Sequence, residues 1–149
     1  MTTNESAGTG GPDGGHRPPA GTSEATVRAL GALSKALETT ERARGHLYSF
    51  HQLTGTADLE LDDAVRLLRE AGHSARADLV EREISGRNVL PGRWTFQVVE
   101  DYNTTYYRPF ARIEEDIRTE LVQGRDHLYE AGMKERRRTH GHDDHTARP

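Results

Sequence analysis

The sequence predicts an all-α protein, and three observations carry that prediction. Apolar side chains recur three and four residues apart over two long stretches, which is the repeat of a helix burying one face. No stretch shows the sustained two-residue alternation of a half-buried strand. Hydrophobic residues make up only 33% of the chain, which favours a thin bundle or a dimer over a thick core. We expect an elongated helical bundle whose first and last helices are long, antiparallel and joined by a short αα-hairpin.

The first helix is predicted to begin at Thr22 or Ser23, because either hydroxyl can accept hydrogen bonds from free backbone N–H groups. Glu24 then lies at the positive end of the helix dipole. The apolar face contains Val27, Leu30, Leu33 and Leu37, and it resumes after a polar gap with Leu47 and Phe50. We expect Gly55 to end the helix.

Two short helices are predicted to follow and to pair as a tight hairpin. The first begins near Asp62 and ends at Gly72. Ser74 caps the second, and Gly86 ends it.

The last helix carries the longest apolar stripe of the chain. Its members are Phe96, Val99, Tyr106, Phe110, Ile113, Ile117, Leu121 and Leu128. Thr95 can cap this helix, with Trp94 and Val99 at the two positions of a hydrophobic staple. Pro109 has no N–H to donate, so it either kinks one long helix or starts a separate helix running from Phe110 to about Lys134.

Both ends of the chain are predicted to be disordered, which leaves one helical domain over residues 22–138. Residues 1–21 are rich in Gly, Pro, Ser and Thr and have no large apolar side chain beyond Met1. The tail over residues 139–149 is rich in His and also lacks large apolar residues. Neither segment can bury enough apolar surface to offset its ordering entropy.

Composition excludes several classes of protein. The absence of Cys excludes disulfides, thiolate catalysis and Cys-based metal sites. No apolar run approaches the roughly 20 residues that span a bilayer, and the N-terminus has no secretory signal pattern, so we expect a cytoplasmic protein with no membrane partner. The basic residues are almost all Arg, a bias typical of a GC-rich bacterial genome.

The polar gap in the first helix is the best candidate ligand site. Continuing the apolar period brings Glu41, Arg44, Tyr48 and His51 to or beside the buried face. Antiparallel pairing would place Glu100, Asn103 and Tyr106 of the last helix next to them. Such groups can bind an anion, a polar ligand or a metal. The alternative is a hydrogen-bonded network at a bundle end or dimer interface.

Two further tyrosines are candidates for contacting a protein partner. Tyr102 and Tyr107 lie off the main stripe, and Tyr is enriched at the residues that dominate binding energy in interfaces.

Metal and nucleic-acid sites have weaker support, and no cofactor is predicted. The Glu-x-x-His pair of Glu70 and His73 straddles Gly72, so its side chains need not share a helix face. Tail histidines between His140 and His145 have ligand chemistry but nothing to preorganise them. A net charge of −4 argues against coating nucleic acid, which leaves Lys134–Arg138 as the one basic segment suited to phosphate.

These observations predict a non-enzymatic protein–protein interaction or structural module that pairs with another protein or with itself. No Gly-x-Ser-x-Gly or phosphate-binding loop is present to support catalysis. The alternatives are ligand or metal binding at one end of the bundle and accessory nucleic-acid binding through the basic C-terminal segment.

Overall fold

The structure is a computed structural model that describes residues 11–148. A 3-10 turn at Gly14–His16 is followed by five α-helices with one π-helical segment between the third and fourth. The helices are α1 (Glu24–Glu70), α2 (Ser74–Glu83), α3 (Thr95–Tyr102), α4 (Arg108–Val122) and α5 (Leu128–Arg137), and the π-helical segment is Asn103–Tyr107. Residues 11–148 contain no strand, so the all-α prediction is confirmed for that range.

The chain divides into two compact units. The terminal unit combines Met1–Leu37 with Ala111–Pro149, and the central unit is Glu38–Phe110. Residues 1–10 of the predicted N-terminal tail, and Pro149 of the C-terminal one, lie outside the described residues. The antiparallel order of the first and last helices stays a prediction for the chain as a whole.

The start of α1 agrees with the sequence prediction, but its end does not. Ser23 Oγ accepts a hydrogen bond from the Thr26 backbone N–H at 3.1 Å, which is the predicted cap. Gly55 does not end the helix, and α1 continues to Glu70. A glycine inside a helix costs only about 1 kcal/mol relative to alanine, and Leu61, Val65 and Leu68 continue the less exposed face beyond it. Of the two short helices that were predicted, the first is therefore the C-terminal part of α1, and only α2 is a separate helix.

Pro109 is accommodated without a loop. The π-helical segment comes directly before α4, and the Arg108 N–H bonds to the Asn103 carbonyl five residues earlier. This wider turn makes room for the ring of Pro109, which would otherwise clash with the carbonyl four residues before it. Thr95 is the first residue of α3 rather than its cap, and the Trp94 N–H bonds to Gln97 Oε1 at 2.8 Å.

The extra residue in the π turn changes which side chains are covered. Each added residue rotates the following positions by about 100° around the helix axis. Beyond the π turn, Ile113 and Leu121 of the predicted stripe are exposed and Leu128 is buried; before it, Val99 is buried and Phe96 is exposed. The last helix also ends early, at Val122, because Gln123 and Gly124 adopt positive φ angles of 58° and 74°.

The terminal unit has a small apolar core. Leu30, Val122 and Leu128 are buried together, with Val27 and Ile117 packed against them. At Gly31, α1 lies against α5, since a Cβ added there would be 2.9 Å from Tyr129 Cβ. The backbone approach requires glycine at this position.

The central unit buries few hydrophobic side chains. Only Ala77 and Val99 are fully covered in it. Its exposed large hydrophobic residues are Tyr48, Phe50, Leu53, Leu59, Leu67, Leu79, Ile84, Leu90, Trp94, Phe96 and Tyr106. The unit therefore leaves many more large apolar side chains exposed than buried.

Candidate functional site

One face of α1 in the central unit carries a polar seam. Its less exposed residues recur three and four positions apart: Arg44, Leu47, His51, Thr54, Asp58 and Leu61. A repeat of seven places a helix face against a neighbour, and apolar residues usually fill it. Here several of these positions are polar, and they make hydrogen bonds to the segment between Gly86 and Tyr107.

Arg44 lies at the centre of a cluster of polar and aromatic side chains. Its Nε donates to Asn103 Oδ1 at 2.8 Å, and its guanidinium carbon lies 4.1 Å from the centre of the Tyr107 ring. The Tyr48 ring is 5.5 Å away, and Glu41 is 3.7 Å from the guanidinium. A cation over an aromatic face is attracted by the ring quadrupole. The cluster therefore combines an ion pair, a hydrogen bond and two ring contacts around one charge.

Tyr107 completes the cluster by donating its hydroxyl proton to Glu41. This hydrogen bond raises the pKa of Tyr107 above its ordinary value of 10.0, and desolvation and the Glu41 charge add to the effect. The Arg44 charge works in the opposite direction. The neutral phenol is thus the form that the cluster stabilises.

The structure brings some of the predicted site residues together and separates others. Glu41, Arg44, Tyr48 and Asn103 share the Arg44 cluster, where Asn103 Nδ2 donates to Tyr48 Oη at 3.4 Å. His51 instead pairs through Nδ1 with Thr95 Oγ1 at 2.7 Å. Glu100 is exposed, and its side chain makes no hydrogen bond or ion pair with residues 11–148.

The candidate partner-binding tyrosines occupy different environments. Tyr107 contacts Glu41 and Arg44 of its own chain. Tyr102 contacts Tyr106 in a tilted arrangement with ring centroids 5.6 Å apart, and Tyr106 meets Phe110 edge to face at 6.0 Å. Of this row, Tyr106 is exposed. The row is an aromatic surface of the central unit rather than part of the Arg44 cluster.

A groove of about 470 Å³ lies beside this seam, and we call it the Trp94 groove. Residues of α1 from Thr54 to Leu61 form one wall, Ile84 and Val89 form the other, and Trp94 lies with them. Asp58 and Arg87 also line it. Its volume is within the range of about 300–1,000 Å³ typical of small-molecule pockets.

The basic C-terminal segment is partly engaged within its own unit. Lys134 Nζ donates to the Ala147 carbonyl at 2.8 Å, and Arg138 Nε donates to both oxygens of Glu135 at 2.9 Å. Arg136 and Arg137 make no ion pair with the described part of the chain. Phosphate binding through this segment stays a prediction that rests on those two residues.

The tail histidines are held by backbone groups. His145 Nδ1 accepts from the Thr139 N–H at 2.9 Å, and His142 Nδ1 accepts from the Asp144 N–H at 3.1 Å. Their ring centroids are 4.3 Å apart. In each neutral ring the nitrogen with a free lone pair is thus already in a hydrogen bond, so metal binding there would break one.

Sequence reasoning missed a buried charged group in the terminal unit. Glu114 is 5% exposed and accepts from Ser34 Oγ at 2.9 Å and from Arg118 Nε at 3.2 Å. Arg118 also donates to the Gly124 carbonyl at 2.6 Å, at the end of α4. The i, i+4 spacing of this pair was a visible signal, but neither residue belonged to the predicted apolar stripe.

The Trp94 groove was missed for a different reason. Because the first helix was predicted to end at Gly55, its face was not extended from Thr54 to Asp58 and Leu61. Extending the repeat by two more turns would have shown that the polar seam reaches Asp58.

No protein-family model matches this chain, and neither does any curated protein or solved structure with which it was compared. Among the helices described between residues 11 and 148, none has the length and apolar character needed to cross a bilayer.

Proposed function

We propose that this chain is a non-enzymatic, cytoplasmic protein–protein interaction module that self-associates through α1. One observation supports this most directly, an exposed apolar row on the helix. Phe50, Leu53 and Leu67 are 43%, 68% and 54% exposed. Leu53 and Leu67 are two seven-residue repeats apart and Phe50 is three residues before Leu53, so all three lie on one side of the helix. We call these three residues the outer row.

The outer row points away from the groups that α1 uses within its own unit. Leu53 lies two residues after His51, which is about 160° around the helix. The contacts of Arg44, His51 and Asp58 therefore leave the outer row uncovered. Burying a leucine side chain contributes about 1.5–3 kcal/mol, so covering several in one interface favours association.

A second copy of the chain is the partner that we propose. Each copy presents the same row, and a two-fold pair covers both rows with a single contact. Positions 53, 60 and 67 follow the seven-residue spacing at which two helices interdigitate along their length, with Glu60 at the middle position.

The proposal includes the predicted antiparallel pairing of α1 with the later helices inside each unit. In the central unit, Glu41, Arg44, His51 and Asp58 contact Tyr107, Asn103, Thr95 and Gly86. The two sets run in opposite directions along the chain, which supports this pairing. In the terminal unit, Ser34 bonds to Glu114, and the earlier Leu30 is buried with the later Val122. This order is also the one expected for antiparallel helices.

The test compares two leucines of α1 that are equally exposed but point in different directions. Leu53→Glu places a charge in the outer row, whereas Leu59→Glu changes a residue that is 72% exposed and lies six positions on, about 120° around the helix. We expect light scattering to give a dimer mass for the unmodified chain and for Leu59→Glu, and a monomer mass for Leu53→Glu. A monomeric unmodified chain at every concentration would refute the proposal.

Small-molecule binding is a second candidate function, and the Trp94 groove is the observation that favours it. The sequence prediction placed a ligand among Glu41, Arg44, Tyr48, His51, Glu100, Asn103 and Tyr106. Arg44 Nε and Glu41 Oε1 already have hydrogen-bond partners in the chain, so the neighbouring groove has more room for a ligand.

A further inference from the structure

Where the Trp94 groove opens, the less exposed face of α1 carries polar side chains in place of leucines. Leu47 precedes this stretch and Leu61 follows it, but His51, Thr54 and Asp58 occupy the positions between. Leucine at those positions would fill the space and stabilise the unit by burying apolar surface. The chain instead leaves a groove of about 470 Å³.

Glycine keeps one wall of the groove open. Gly55 lines the groove on α1, and a Cβ added there would meet no atom within 4 Å. Glycine is unfavourable inside a helix by about 1 kcal/mol relative to alanine. Its position at the groove wall therefore leaves space that any larger side chain would occupy.

The walls of the groove combine an apolar surface with two opposite charges. Leu61, Ile84, Val89 and Trp94 supply the apolar surface. Asp58 is positioned by its Oδ1, which accepts from the Gly86 N–H at 2.7 Å, and its other oxygen has no partner among residues 11–148. Within residues 11–148, the side chain of Arg87 donates only to the Glu83 carbonyl, at 3.3 Å.

Neither charged side chain of the groove has an ion partner in the described chain. Asp58 and Arg87 belong to no ion pair there, even with each other. Asp58 and Arg87 both line the groove, and Asp58 bonds to Gly86, the residue before Arg87. A ligand complementary to this arrangement carries a cationic group, an anionic group and an apolar body on one small frame.

We propose that the Trp94 groove binds an α-amino acid with an aromatic or large apolar side chain. The ammonium group pairs with the free oxygen of Asp58, and the carboxylate pairs with the guanidinium of Arg87. The side chain packs against Trp94 and Ile84, where ring stacking adds to apolar burial. This inference does not depend on self-association, because every residue that it uses belongs to one copy of the central unit.

The fluorescence of Trp94 provides a way to test this proposal. Trp94 is the single tryptophan of the chain, so fluorescence excited selectively in tryptophan reports on this groove rather than on the five tyrosines. The probe is L-phenylalanine, which does not obscure tryptophan emission. Three reference compounds remove one feature each: phenethylamine lacks the carboxylate, 3-phenylpropionate lacks the ammonium group, and glycine lacks the ring.

We expect L-phenylalanine to change the fluorescence of Trp94 saturably and to raise the thermal midpoint of the full-length chain. Each compound that lacks one charge is expected to bind about tenfold or more weakly, the effect of losing one charge-assisted hydrogen bond. Glycine is expected to give no saturable change. Absence of any saturable response to L-phenylalanine would overturn the proposal.

Two glycines of α1 give a matched pair of variants. Gly55→Leu fills the groove, whereas Gly45→Leu adds the same side chain at an exposed position that is also free of neighbours within 4 Å. We expect binding to be lost in Gly55→Leu and retained in Gly45→Leu. If Gly55→Leu binds L-phenylalanine as tightly as the unmodified chain, the groove is not the site.

A third variant tests the charge pairing. Asp58→Asn keeps the shape of the side chain and its acceptor for Gly86 but removes the charge. L-Phenylalanine is expected to lose its advantage over 3-phenylpropionate in this variant. An unchanged preference would assign the ammonium group to some other residue and would contradict the proposed pairing.

Discussion

Arg44 occupies a position where the repeat of α1 would otherwise place a leucine. Leu30 and Leu37 precede it at intervals of seven residues. A charge on a partly covered face is costly unless it is paired and hydrogen-bonded. Asn103, Glu41 and the Tyr107 ring meet that requirement. These contacts connect α1 to the π-helical segment through polar groups.

The Tyr107–Glu41 hydrogen bond leads to a prediction about pH. Because it raises the pKa of Tyr107 in the folded chain, its stabilising effect is complete below pH 10, the ordinary value. That effect is lost as the pH rises through the higher folded pKa. In Glu41→Gln we expect Tyr107 to ionise at lower pH, measured as tyrosinate absorbance with Tyr107→Phe as the assignment control. Glu100→Gln, which removes an exposed carboxylate, should leave the titration unchanged.

Val122 gives a residue-level prediction in the terminal unit. It is 0% exposed, whereas the adjacent Leu121 is exposed. Val122→Ala removes two buried methyl groups and leaves a cavity, so we expect a loss of about 2 kcal/mol in the free energy of unfolding. Leu121→Ala should cost less than about 0.5 kcal/mol. Urea unfolding followed by circular dichroism measures both, and equal losses would contradict the assigned core.

Glycine has opposite consequences at two places within α1. Gly31 faces Tyr129 of α5, where an added Cβ would be 2.9 Å from one side-chain atom and 3.1 Å from the next. Gly45 has nothing within 4 Å of that position. One glycine permits close packing of two helices, while the other is unfavourable by its helix propensity alone.

Alanine substitutions separate these two roles. Gly45→Ala is expected to stabilise the chain by about 0.8 kcal/mol through helix propensity. Gly31→Ala has the same gain, but overpacking costs about 1–3 kcal/mol, so we expect a net loss of stability. The measurement is the urea midpoint of each variant. A stabilised Gly31→Ala would show that α1 and α5 do not pack closely at that point.

Across residues 11–148, more large hydrophobic side chains are exposed than buried. In the central unit, large apolar side chains such as Leu53, Ile84 and Trp94 are exposed, while Ala77 and Val99 are its buried hydrophobic residues. A chain with so little core gains stability from any contact that covers its surface. Self-association is such a contact.

Self-association predicts a stability that depends on protein concentration. If the folded chain forms dimers, mass action raises its thermal midpoint as the concentration increases. We expect this rise in the unmodified chain and in Leu59→Glu, but not in Leu53→Glu. A midpoint that is independent of concentration in all three would argue against a dimer that contributes to folding.

Sequence reasoning located the helices and the polar seam because both depend on local spacing. The cap at Ser23, the stop at Gly72 and the inward position of Arg44 follow from hydrogen-bond geometry and from the 3.6-residue repeat. It misplaced the end of α1, since the small penalty at Gly55 is outweighed by the apolar residues after it. Asn103, the partner of Arg44 in the last helix, was among the predicted site residues. Tyr107 was instead predicted to contact a protein partner.

The sequence by itself determined that this chain is helical, where α1 begins and which of its residues share a face. Those properties depend on side chains within a few residues of one another. Only the tertiary structure decided which apolar residues of the last helix are covered, because the π turn before Pro109 rotates every later position. It also decided that Asp58, Arg87 and Trp94 line one groove, since residues so far apart in the chain meet only through packing.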